Sequence, residues 1–216
     1  MSFPRSPRLL KGGVVLVDAE SGAIRRIVAL QYNPDSITRT LQAVSMATES
    51  ANRSEATRLK GPPVETVKLE VELDATDLLE SGDEPTVQAG LHPQIAALES
   101  VVYPTASQLI AADALASSGT LEIAPMLAPL TLFIWSQHRI VPVRITEFSI
   151  TEEAFDTQLN PIRARLSLGM RVLSVDDLGF GQRGGTLFMA YLQGKERLAA
   201  RNRGGTLGTL GLTGLP

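Results

Sequence analysis

The residues with the right types and spacing for chemistry fall into a few short groups. Gly179-Phe180-Gly181-Gln182-Arg183-Gly184 has the spacing of a dinucleotide-binding glycine loop, whose backbone N–H groups hold a pyrophosphate at a helix start. That chemistry needs a second parallel strand after the helix. Only a short tail follows here, so the run reads as a flexible hinge. His92 and His138 lack the ligand spacing of a metal pair and read as a helix-start residue and a turn residue. Asp74 with Asp77, and Asp176 with Asp177, have the types for acid–base work, yet acids at strand ends are ordinary turn formers. No Gly-x-Ser-x-Gly elbow is present. Asn52-Arg53-Ser54 matches a glycosylation acceptor, but the basic N-terminal stretch lacks the apolar run of a secretory leader, so the match reads as chance. With no catalytic, cofactor or metal site among these groups, the expectation is a non-enzymatic protein that works through partners.

Composition narrows the partners. The chain has 216 residues, 44% apolar and 20% charged, enough for one large β domain with a substantial core. A net charge of -3 gives no field of one sign to draw in nucleic acid or an anionic membrane. No stretch has the unbroken apolar length of a membrane span, so direct membrane insertion is not expected. There is no cysteine, which removes disulfides and thiolate chemistry.

The elements that must position any site are strands. Asn160 to Asp176 alternates Ile162, Ala164, Leu166, Leu168, Met170 and Val172 with Arg163, Arg165, Ser167, Gly169 and Arg171. Thr66 to Asp74 does the same, with Lys68, Glu70 and Glu72 on its polar face. A period of two marks a strand that buries one face and solvates the other. Val14 to Asp18 and Ile24 to Tyr32 flank a Ser21-Gly22 turn and predict a hairpin, and Ile37 to Val44 predicts a third strand after Asn33-Pro34-Asp35. Leu130 to Trp135, Ile140 to Thr151 and the strand after Asn160 predict an antiparallel meander. The apolar phase changes between Ile145 and Phe148, so a bulge is expected near Glu147.

Between the strands, Ser45 to Pro63 is a long polar loop of the kind that partners order. Asp74 to Gln88 reads as an acidic loop with one helical turn, and His92-Pro93 opens a helix that runs towards Pro104. Ser117 to Gly119 reads as a loop and Thr120 to Ala124 as a short strand. Thr186 to Arg201 has helical spacing, and the tail from Gly204 to Pro216 has too many glycines to build a core without a neighbour.

Five segments together resemble a known family: LQYNPDSITRTL (30–41), RLKGPPVETVKLEVELDATD (58–77), GLHPQIAALESVVYP (90–104), the run 129–173, and its end. They are similar to the tube-domain proteins of contractile injection systems, phage-tail-like particles whose inner tube is driven by a contracting sheath. The resemblance implies a mainly β fold, a barrel or sandwich of the tail-tube type with one flanking helix, over residues 1–177. Residues 178–216 would add a hinge, a helix and a Gly/Leu tail. Some relatives carry a peptidoglycan-binding LysM domain, which this chain lacks at that point. The implied role is a homo-oligomeric, six-fold ring joining the inner tube to the spike and baseplate, assembled in the cytoplasm and carried out as part of a particle. Interface residues expected on this basis are Arg53 and Lys60 in the loop, Glu70, Glu72, Arg163, Arg165 and Arg171 on the polar strand faces, and Leu207 and Leu210 in the tail. A different reading is a β-sandwich that binds a small ligand or carbohydrate between Tyr103, Phe133 and Trp135.

Overall fold

The two alternating runs become neighbouring strands at the heart of one sheet. The computed structural model describes residues 9–44, 59–117 and 128–215. Its strands are β1 Gly13–Val17, β2 Ile24–Ala29, β3 Ile37–Gln42, β4 Val64–Asp74, β5 Leu130–Ile134, β6 Ile140–Phe155 and β7 Pro161–Val172. They form a single seven-stranded sheet in the order β2-β1-β5-β6-β7-β4-β3, antiparallel at each ladder. The predicted hairpin, the third strand and the meander are all present. The bulge falls between Ile145 and Glu147 as the phase change requires.

Alternation decides which side chains enter the core. Val67, Leu69, Val71 and Leu73 of β4 are buried beside Ala164, Leu166, Leu168 and Met170 of β7. Strands β1 and β5 are buried on both faces, which is why their sequences are continuous apolar runs with no period. Val15, Val17, Leu130 and Leu132 form a second, smaller cluster outside the main core.

The expected barrel is not formed. Among the described residues no ladder joins the end strands β2 and β3, so the sheet is open. One side chain instead ties the end strand β2 to β4, the strand next to the other end. The Gln31 amide, just past β2, donates to the Asp74 carbonyl at 2.6 Å and accepts from the Asp74 N–H at 2.9 Å.

Among the described residues six helices, not one flanking helix and a C-terminal one, accompany the sheet: α1 Thr76–Glu80, α2 Glu84–Ala89, α3 His92–Glu99, α4 Ala106–Ser117, α5 Val175–Leu178 and α6 Arg183–Arg201. The expected acidic loop is thus two short helices split at Ser81-Gly82, and Asp83 caps the second by accepting from the Thr86 N–H at 3.2 Å, with the Thr86 hydroxyl donating to the same carboxylate at 2.6 Å. Helix α3 starts where the His-Pro signal placed it and stops at Glu99, with Ile95 and Leu98 buried. Helix α4 has no buried residue and no apolar stripe to announce it. The expected strand at Thr120 to Ala124 lies outside the described residues.

The glycine run also differs from a flexible hinge. Gly184 and Gly185 form the first turn of α6 and are buried. A Cβ on Gly185 would lie 1.9 Å from the Gly179 carbonyl oxygen, and one on Gly184 would lie 2.3 Å from Leu178 Cδ1. These glycines let α6 approach α5 closely. The run connects two helices beside an antiparallel sheet, so the parallel βαβ unit of a dinucleotide site is not formed.

Candidate assembly surfaces

The sheet has two terminal strands, β2 and β3, each with an outer backbone edge that no ladder occupies among the described residues. Unpaired N–H and C=O groups along a strand are a template for another strand. On β2, Ile24 and Ile27 are also exposed, and on β3 Leu41 is exposed.

The polar faces of β4 and β7 carry the charges singled out in the sequence, and register decides which of them meet. Glu72 lies opposite Arg165, and their charged groups are 3.5 Å apart. Arg163 pairs with Asp74 at 3.1 Å. Arg171 reaches past the strand end to Asp177 at 2.9 Å. Glu70 faces Ser167. Lys68, on the same face, pairs with Glu147 at 2.8 Å. The Asp74 carboxyl is held below its ordinary value by the Thr76 side chain and N–H, with Arg163 adding to the effect. Of the remaining expected interface residues, Lys60 is exposed beside β3 with its N–H donating to the Val44 carbonyl. Leu207 and Leu210 are exposed in a 3-10 turn, and Arg53 lies outside the described residues.

A buried polar cluster stands behind this face and was not foreseen. Glu65 of β4 is 4% exposed. It accepts from Arg39 Nε of β3 at 2.8 Å, from the Tyr191 hydroxyl of α6 at 3.0 Å and from Lys195 Nζ of α6 at 2.9 Å. Lys195 Nζ also sits 4.1 Å from the centre of the Tyr191 ring. Burial by itself would raise the Glu65 carboxyl, but the bonds from Lys195 and Arg39 outweigh it and hold the group below its ordinary value. The arrangement fastens α6 to β3 and β4. A signal for it existed: Glu65 and Arg39 both occupy the inward phase of their strands, where an ion is found only with a partner.

The aromatic ligand site does not assemble. Phe133 is buried and Trp135 stacks on it with ring centres 6.1 Å apart, whereas Tyr103 is exposed and lines clefts that include neither of them. Among the described residues no group of three or more His, Asp or Glu could hold a metal, and no helix is long and apolar enough to cross a membrane.

No protein-family model matches the chain, and no curated protein is significantly similar to it. Two solved structures align over most of it. A chain from the tail of an empty gene transfer agent particle with C6 symmetry has a TM-score of 0.29 and 14% identity, covering 75% of this chain and 90% of that one. A chain from the virion of the native gene transfer agent particle has a TM-score of 0.26 and 13% identity, covering 74% and 90%.

Proposed function

We propose that this chain is a non-enzymatic structural subunit of a contractile, phage-tail-like particle, forming a six-fold ring that joins the inner tube to the spike and baseplate. The observation that carries the reading is the open sheet, whose two edges no strand occupies among the described residues, in a sequence whose ordered segments resemble tube-domain proteins. An open edge exposes backbone groups that a ring satisfies by pairing β2 of one copy with β3 of the next. On this reading the ring is assembled in the cytoplasm and leaves the cell as part of a particle. The test is negative-stain microscopy of the purified protein with candidate tube and spike proteins. Six-fold rings are expected, and single copies persisting with those proteins present would rule the reading out.

A further inference from the structure

The two ends of β6 carry surfaces that complement each other. At its start, Ile140 and the β5–β6 turn face α6 across a groove of about 390 Å³. Ile140, Leu187 and Leu198 give the groove an apolar lining, and His138, Arg197 and Arg201 stand around it. At the far end of β6, the turn into β7 presents Phe155 and Leu159, which are 50% and 76% exposed. They lie in the run Glu152-Glu153-Ala154-Phe155-Asp156-Thr157-Gln158-Leu159, which holds acids and no base. Asp156 is held in its charged form by bonds from the Asn160 side chain and N–H.

Backbone strain marks the same two places. Among the described residues the non-glycines with positive φ are Ser136 at 91°, Ala154 at 51° and Leu159 at 65°. Ser136 lies in the turn that walls the groove, and the other two flank the apolar tip. A side chain with a Cβ is disfavoured in that region, and such positions gather where a surface has a job beyond folding.

We propose that the β6–β7 tip of one copy seats in the α6 groove of a second copy, stacking subunits head to tail. Apolar Phe155 and Leu159 meet the apolar lining, and the acids around them meet Arg197 and Arg201. Tip and groove sit at opposite ends of a 16-residue strand, a separation of roughly 50 Å at the usual rise per residue. One copy therefore cannot fill its own groove, and the contact repeats along a line. The inference rests on the particle-subunit reading and extends it: sheet edges join copies within a layer, and tip and groove join one layer to the next.

The experiment is sedimentation and negative-stain microscopy of the full chain from about 0.05 to 0.5 M salt, over which charge screening shortens several-fold. End-to-end species are expected at low salt and should recede at high salt. Leu159→Asn removes the more exposed of the two apolar tip residues and substitutes one that tolerates left-handed backbone, so association should weaken about tenfold or more while thermal stability holds or rises. Arg197→Glu/Arg201→Glu and Glu152→Lys/Gln158→Lys should each weaken association alone, and an equal mixture should restore it, because each altered groove then meets an altered tip of opposite charge. No end-to-end species at low salt, association indifferent to Leu159→Asn, or no recovery on mixing would each overturn the inference. Single six-fold rings that never stack would overturn it and leave the ring reading standing. Linear files of single copies, dissolved by these variants, would support it and remove the ring reading instead.

Discussion

Glu65 and Glu72 are the same residue type on the same strand, seven positions apart, and they live in opposite worlds. Glu65 points inward, is buried, and collects Arg39, Tyr191 and Lys195 from two other elements. Glu72 points outward and meets only exposed Arg165, its register partner on β7. The pleat alone separates them, since an odd spacing along a strand reverses the face. The difference teaches which charges hold this molecule together: the hidden acid ties the C-terminal helix to the sheet, and the visible ladder decorates a solvated face.

The comparison breaks most sharply at Glu65. Glu65→Ala strands two cations that are themselves partly shielded, and we expect a loss of about 2–3 kcal/mol, below the cost of breaking a wholly buried pair. Chemical denaturation would measure it, and hydrogen exchange should show α6 as the element that loosens. A change smaller than about 0.5 kcal/mol would mean that α6 is held by Phe188 and Tyr191 packing alone. Gly185→Ala attacks the same docking through the backbone, because the new methyl has no space beside the Gly179 carbonyl. A loss of about 1–3 kcal/mol is expected, again with α6 exchanging faster.

Acid should separate the two glutamates next. The Glu65 carboxyl is held below its ordinary value of 4.5, so its contribution is complete above about that pH. As pH falls through the lower folded value the carboxylate takes up a proton and the contribution is lost. Thermal melts between pH 6 and 3 should therefore lose stability in the lower part of that range, and Glu65→Gln should flatten the loss. The smallest effect belongs to the exposed partner. Glu72→Ala or Arg165→Ala should shift stability by less than about 0.5 kcal/mol, and added salt should shrink even that.

Much of the sheet was legible because burial on one face writes a period of two into the sequence. β4 and β7 announce themselves this way, and the phase change at Glu147 even located the bulge. What stayed hidden depends on contacts between distant segments. Helix α4 has no stripe because it buries nothing, and α1 and α2 are too short to establish a period. The glycines at the start of α6 read as a hinge because close approach and flexibility call for the same residue. The Glu65 cluster left a partial trace, an acid on the inward phase, but Tyr191 and Lys195 join it only through the fold. Of the surface charges, register brought Glu72 to Arg165 and Asp74 to Arg163, both on the polar phase of β4, whereas Arg171 reaches past the strand end to Asp177.

The Gln31 clasp bears on number as well as shape. In a closed circle of identical copies, the turn each copy contributes fixes how many are needed. In such a circle that turn would depend on how far the sheet curls, and one amide gripping the backbone of Asp74 ties the end strand β2 to β4, one strand short of the other end. A side chain of fixed length limits how far those two strands can part, and the count of copies around a circle would depend in part on its reach.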